Sequence, residues 1–252
     1  MLVDWCDTLH FESRTDGRIT REDLGPPLPA DDLVLRAARA LQQATGCAQG
    51  ANIGIVKRIP AQAGLGGGSS DAATTLLALN RLWRLRLTRS QLAAIGLWLG
   101  ADVPFFLHGT HAWVEGIGER IQPLMLPAAR FIVLKPPVGL DTGKIFADEA
   151  LKRDSKPATI SGFAADLFGF GQNDLQPVAE RLCPQVAQGL ALLAQQGLEG
   201  RMTGSGSAVF APLSQAVAGN AGVPLTIPDG WLMQSCSNLE AHPLVGWASG
   251  ID

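Results

Sequence analysis

The 252-residue chain is 46% hydrophobic, 17% charged and 6% aromatic, the profile of a folded globular protein, which excludes a disordered or fibrous one. Twenty Lys and Arg against 23 Asp and Glu give a formal net charge of -3, so no general attraction to nucleic acid or to an anionic membrane is expected and any phosphate site must be local. A chain of this length buries roughly three quarters of the surface it exposes unfolded, enough for one large domain or two modest ones without a disulfide or metal staple.

Leu9, Phe11 and Ile19 predict the two strands of a hairpin, with Asp16-Gly17 as its turn. After a Pro-rich loop from Gly25 to Pro29, Asp31 or Asp32 can cap a helix whose apolar face is Leu33, Val34, Ala37, Ala38 and Leu41. Ile53 and Ile55 alternate with smaller or polar neighbours up to Ile59-Pro60, the pattern of a short strand stopped by proline. The spacing of Ala73, Leu76, Leu77, Leu79, Leu82 and Trp83 predicts a buried helix over 70–85.

Thr88-Arg89-Ser90-Gln91 reads as a capping box opening the next helix, which Gly100 can close. Trp113-Val114-Glu115 and Phe131-Ile132-Val133-Leu134 read as strands, and residues 175–196 as a long helix interrupted near Pro184. Mixed strands and helices predict an α+β architecture in two lobes. The seam is expected between Pro123 and Arg130, giving lobes over 1–125 and 126–252.

Cys6, Cys47, Cys183 and Cys236 lie far apart and form no C-x-x-C pair, so neither a zinc site nor a disulfide framework is indicated, and a reducing cytoplasm fits the pattern. The N-terminus, Met1-Leu2-Val3-Asp4-Trp5-Cys6-Asp7, carries acids where a secretory signal needs Lys or Arg, and no apolar run reaches membrane-spanning length. His10, His108, His111 and His242 are scattered without H-x-x-x-H spacing, so no metal ligands are predicted.

The 29 glycines exceed the usual share of about 7% and cluster most tightly in Pro60-Ala61-Gln62-Ala63-Gly64-Leu65-Gly66-Gly67-Gly68-Ser69-Ser70, between a strand and a helix. Four glycines in five positions let backbone N–H groups turn toward one ligand, and a following helix N-terminus adds partial positive charge. That context favours an anion cradle over a flexible linker. The stretch lacks the lysine of a Walker loop and has Ser69 where the dinucleotide fingerprint needs its third glycine.

A second small-residue turn, Arg201-Met202-Thr203-Gly204-Ser205-Gly206-Ser207-Ala208, could supply further N–H donors or be an ordinary tight hairpin. Asp102, in Gly100-Ala101-Asp102-Val103-Pro104-Phe105-Phe106, could accept a hydroxyl proton in phosphoryl transfer, although its local context alone favours a cap or turn residue. Glu115 and Glu119 read as ordinary surface turn residues.

The stretch from Pro60 to Ser70, followed by Asp71-Ala72-Ala73, resembles the nucleotide-binding signature of the GHMP kinases, which include galactokinase, homoserine kinase, mevalonate kinase and phosphomevalonate kinase. The likeness continues in order through residues 100–106, Glu115-Gly116-Ile117-Gly118-Glu119, Asn173-Asp174-Leu175 and residues 201–206, and so spans most of the chain. It is nearest to the members that use ATP to phosphorylate the 2-hydroxyl of 4-diphosphocytidyl-2-C-methyl-D-erythritol, in non-mevalonate isoprenoid synthesis. The resemblance implies that residues 60–70 hold ATP (Pro60, Ala61, Gln62, Ala63, Gly64, Leu65, Gly66, Gly67, Gly68, Ser69 and Ser70), with Lys57 beside the nucleotide. It also implies that Asp102 is the catalytic aspartate. Thr142, Phe146, Gly204, Ser205 and Gly206 fall at substrate-side positions, with Phe146 expected to stack on cytosine. Mg²⁺ is expected to accompany ATP.

In the family, a Pro-x-Lys-x-Asn segment supplies a lysine that acts with the aspartate, and an Asp-Gly-Tyr-His segment grips the cytidine. This sequence contains neither, and no tyrosine at all, so a stacking partner opposite Phe146 is missing. A charged group that stabilises phosphoryl transfer is commonly worth about 10² to 10⁴ in rate, so this sequence is expected to give a weak catalyst with an unpaired sheet edge. Two other readings stay open on the residues alone: a nucleotide-binding remnant that transfers nothing, or another GHMP kinase such as a homoserine or mevalonate kinase. A structural α+β domain with coincidental glycine turns is the third.

Overall fold

A computed structural model describes residues 1–213 and 226–249. Strands β1 (Thr8–Arg14) and β2 (Ile19–Asp23) lie on either side of Asp16-Gly17, but they do not pair with each other. Strand β3 (Gly50–Val56) lies between them, antiparallel to β1 with Phe11 opposite Ile53 and parallel to β2 with Arg21 opposite Ile53. The expected hairpin is thus corrected to a three-stranded sheet in the order β1-β3-β2. Burial supplies the reason. Ala51, Ile53 and Ile55 of β3 are at most 1% exposed, and the most apolar strand takes the centre, where both its edges are paired.

Helix α1 (Leu33–Thr45) makes the crossover between the parallel strands β2 and β3. Of the two candidate caps, Asp32 is the one used: its carboxylate accepts from the Leu35 N–H. Helix α2 (Gly67–Leu82) begins three residues before the expected Ser70, because Gly66 at φ 69° supplies the left-handed turn into it. Ala72, Ala73, Leu76 and Leu79 are fully buried, so α2 is the central helix of this core, packed against α1, α3 (Arg89–Leu99) and α4 (Val103–His108). The Thr88 and Gln91 side chains form the predicted capping box at the start of α3. Strands β4 (Ala112–Glu115) and β5 (Arg120–Pro123) pair as a hairpin.

The second core is built on a four-stranded antiparallel sheet of β6 (Arg130–Lys135), β7 (Arg201–Met202), β8 (Val209–Leu213) and β9 (Leu232–Ser237), in the order β7-β8-β6-β9. Helices α5 (Thr142–Phe146), α6 (Ile160–Ala165), α7 (Gln176–Leu182) and α8 (Pro184–Gln195) complete it. The break between α7 and α8 falls at Cys183, where Pro184 removes an N–H and starts the new helix at its first position. Ile132 and Leu134 of β6, Val178 of α7, Val186 and Leu193 of α8 and Val209 of β8 form the centre of this core.

Both sets of elements are mixed, as an α+β architecture requires. The chain divides into two compact units with the main boundary between Met125 and Leu126. Relative to the expected lobes, two segments change sides. Pro60–Leu65 belongs with the second unit, and the stretch beginning at Leu239 returns to the first, where the Leu239 N–H donates to Leu2 O and the His242 N–H to Gly109 O. Neither contact is local in sequence, so nothing in the linear pattern signals them. Among the described residues, no helix is long and apolar enough to cross a membrane.

Candidate active site

The glycine-rich stretch is divided between the two units, and each half does something different. In the first unit, Gly66 has no side chain to cap α2, and the helix carries no acidic residue in its first turn. The first intrahelical bond is from Ser70 N–H to Gly66 O at 2.9 Å, which leaves the N–H groups of Gly67, Gly68 and Ser69 without helical acceptors. An uncapped N-terminus of a 16-residue helix is an anion-binding feature by its donors and its dipole together.

The segment bearing Asp102 lies beside that turn. A Cβ on Gly66 would meet the Phe106 ring at 3.0 Å, and one on Gly100 would lie 3.8 Å from the Ser69 hydroxyl. Asp102 occupies the N-cap position of α4, yet its carboxylate makes no capping bond, and it has no hydrogen-bond or ion-pair partner among the described residues. The cap role favoured by local sequence is therefore not the role it plays. Asp102 is exposed, and partial desolvation by its apolar surroundings raises its carboxyl above the ordinary aspartate range. Gly118, at φ 99°, turns so closely over this segment that a Cβ would lie 1.9 Å from Ala101 O, which accounts for glycine in the Glu115–Glu119 motif. Glu119 itself caps its own turn, accepting the Ile117 N–H at 2.6 Å, as a surface turn residue would.

Lys57, just past the end of β3, is held by two carboxylates: Asp7 at 2.5 Å and Asp71 at 2.6 Å. Asp7 also accepts the N–H groups of Arg58 and Ile59, at 2.6 and 2.8 Å. Burial works to lower the Lys57 ammonium, but Asp71 and Asp7 outweigh it and raise it. Asp71 is pushed up to about 7, first by burial and further by Asp7, against the pull of Lys57. The ammonium lies close to the glycine turn: a Cβ on Gly67 would lie 3.2 Å from Lys57 Nζ.

In the second unit, residues 60–65 lie along the turn between β7 and β8. Gln62 O and Ala63 O accept the N–H groups of Ser207 and Ala208, both at 3.2 Å, and the Thr203 hydroxyl donates to Gly64 O at 2.9 Å. Two glycine turns far apart in sequence are thereby fixed to each other. Also in the second unit, the hydroxyls of Thr142 and Ser205 meet at 2.6 Å, and Asn173 Nδ2 donates to both Met202 O and Gly204 O. Phe146 is 55% exposed, an uncovered aromatic ring at the end of a short helix capped by Asp141.

Sequence reasoning assigns no role to Asp7, Asp71 or Asn173. Asp71 and Asn173 lie within the motifs quoted above, whereas Asp7 reaches Lys57 across 50 residues and carries no local signal.

Residues 32–110 match the GHMP kinases N terminal domain, and residues 149–223 match GHMP kinases C terminal. The chain is 63% identical to the 4-diphosphocytidyl-2-C-methyl-D-erythritol kinase of Albidiferax ferrireducens, over 98% of this chain and 85% of that protein. It is 61% identical to the enzyme of the same name from Acidovorax sp. strain JS42, over 99% of this chain and 88% of that protein. A crystal structure of 4-(cytidine 5'-diphospho)-2C-methyl-D-erythritol kinase superposes with a TM-score of 0.72 at 34% identity, over 84% of this chain and 78% of that one. Homoserine kinase from Cytophaga hutchinsonii shares the fold, with a TM-score of 0.71 at 17% identity over 95% of this chain and 88% of that one. The chain belongs to the GHMP kinase family.

Proposed function

We propose that the protein transfers the γ-phosphoryl group of ATP to the 2-hydroxyl of 4-diphosphocytidyl-2-C-methyl-D-erythritol, a step of isoprenoid precursor synthesis by the methylerythritol phosphate route. One observation carries the reading: an unpartnered aspartate, Asp102, on a segment packed beside the uncapped glycine N-terminus of α2. The identity of 60% and more to relatives bearing that enzyme's name supports the choice of acceptor.

On this reading the N–H groups of Gly67, Gly68 and Ser69 receive phosphate oxygens, Ser70 follows them, and residues Pro60 to Leu65 and Lys57 shape the nucleotide side. As the acceptor oxygen bonds to the γ-phosphorus, the bond from that phosphorus to the bridging oxygen of ADP breaks and Asp102 takes the hydroxyl proton. A carboxyl raised by desolvation is a better proton acceptor than an ordinary aspartate. Thr142 and the Gly204-Ser205-Gly206 turn offer polar groups to the acceptor, and the exposed Phe146 ring offers a face to cytosine.

Mg²⁺ would offset phosphate charge. It is usually held by one or two carboxylates with the phosphates themselves, and Asp102 is an unpartnered carboxylate beside the turn. We assign the activity to the cytoplasm, a reducing compartment that suits the four free cysteines.

Consumption of ATP, measured separately with 4-diphosphocytidyl-2-C-methyl-D-erythritol, homoserine and mevalonate, tests the assignment. Turnover with the cytidyl substrate alone is expected. Turnover with one of the others instead would move the protein elsewhere in its family.

A further inference from the structure

We propose that Asp71 is a charge-balancing residue for the nucleotide, taking up a proton from solvent when phosphate arrives at the turn beside it. The inference deepens the kinase reading and rests on it. Its ground is a charge count in a confined space. Lys57, with a side chain 14% exposed, faces the carboxylates of Asp7 and Asp71, which are 2% and 5% exposed, so one cation serves two anions. Ionised throughout, the cluster carries one net negative charge, and it does so next to Gly67, on which a Cβ would lie 3.2 Å from the Lys57 ammonium. A buried anion there opposes the phosphates that the uncapped turn attracts.

One proton on the cluster makes it neutral and removes the opposition. Asp71 is the group that takes it. Asp7 accepts the N–H groups of Arg58 and Ile59 as well as the Lys57 ammonium, whereas Asp71 faces the ammonium and the Asp7 carboxylate, whose hydrogen bond favours a proton on Asp71, and it already holds that proton up to about neutral pH.

Other titratable groups near this cluster are accounted for. Cys6 adjoins Asp7, and Arg58 turns its guanidinium to the Thr8 hydroxyl. On the elements packed against α2, Arg36 and Arg39 of α1, His10 and Glu12 of β1 and Asp102 at α4 are exposed to solvent. Arg14 of β1 pairs with Asp16, Arg89 of α3 donates to the carbonyls of His108 and Val245, and burial and Arg89 lower the His108 imidazole of α4 from its ordinary range.

Phosphate binding favours protonated Asp71, so by linkage ATP binds more weakly as pH rises through 7. Asp71→Asn keeps the shape and fixes the neutral state. With the carboxyl at about 7, the competent fraction falls about tenfold between pH 6 and pH 8.

The test is calorimetric titration of the full chain and of Asp71→Asn with ATP at pH 6, 7 and 8, the Asn protein serving to cancel the titration of ATP itself. The ratio of the wild-type dissociation constant to that of Asp71→Asn should rise about tenfold across the range. Repeating the pH 7.5 titration in buffers of different ionisation enthalpy should show the wild type taking up at least about half a proton more per ATP than Asp71→Asn does. A constant ratio with equal proton uptake by the two proteins overturns the proposal. Phosphoryl transfer is assayed apart: its loss with the extra proton uptake intact would overturn the substrate assignment and leave this inference standing, whereas intact transfer without the extra uptake overturns this inference alone.

Discussion

The hydroxyl of Thr203 donates to the carbonyl of Gly64 across 139 residues of sequence, at 2.9 Å. The approach is close enough that a Cβ on Gly64, which has φ 68°, would lie 2.0 Å from Thr203 O. Gly64→Ala therefore combines a left-handed conformation, unfavourable by about 1 to 2 kcal/mol, with a backbone overlap that must be relieved by movement. We expect a loss of about 3 kcal/mol in denaturant unfolding, against about 1 kcal/mol for Thr203→Val, which removes only the hydrogen bond. Equal stability of Gly64→Ala and the wild type would refute this apposition.

Asp102 makes no structural contact through its carboxylate, so Asp102→Asn should leave the unfolding midpoint in place while lowering the rate of phosphoryl transfer by about 10² to 10⁴. Its raised carboxyl must be ionised to accept a proton. The acidic limb of the wild-type rate profile should accordingly lie above the pH at which an ordinary aspartate titrates, with the rate falling as pH drops through it. Full activity in Asp102→Asn would remove this carboxylate from the chemistry.

Phe146 presents its ring to solvent at 55% exposure and contributes little to its core. Truncation to alanine should cost less than about 0.5 kcal/mol of stability. Stacking of a base on an aromatic ring is worth about 1 to 3 kcal/mol, which corresponds to a rise of about five- to 150-fold in KM for the cytidyl acceptor. KM for ATP should not move; a parallel rise in both constants would argue against a stacking role.

Asn173 braces the second small-residue turn with two hydrogen bonds, to Met202 O at 3.0 Å and to Gly204 O at 2.7 Å, and its side-chain oxygen accepts the Leu175 N–H at 3.0 Å. Asn173→Ala should destabilise by about 2 kcal/mol. Asn173→Asp should be worse, because it sets a carboxylate against two carbonyls that have lost their donor. An aspartate variant more stable than the alanine one would contradict this geometry.

The features readable in the sequence are those with short-range causes. Asp32 capping α1, the Thr88–Gln91 box and the break at Pro184 each depend on neighbours within a few residues. A paired β1-β2 hairpin is the wrong reading because an Asp-Gly turn and two short apolar strands suit a hairpin equally well, and only the burial of Ala51, Ile53 and Ile55 decides that β3 enters between them. Gly67 and Gly68 are poor helix formers and look like loop, yet they form the first turn of α2 once Gly66 adopts its left-handed conformation. At the site, the glycine turn and Asp102 are legible as motifs. The grip of Asp7 on Lys57, 50 residues away, and the position of residues 60–65 against residues 203–208 follow from tertiary pairing that no local pattern encodes.

The most direct measurement is transfer of phosphate from γ-labelled ATP to 4-diphosphocytidyl-2-C-methyl-D-erythritol by the purified chain, with Asp102→Ala alongside. We predict labelled product from the wild type and a loss of about 10² or more in rate from Asp102→Ala, with nucleotide binding retained by both. Product formed equally well by Asp102→Ala, or label passed to homoserine or mevalonate and not to the cytidyl substrate, would contradict the assignment.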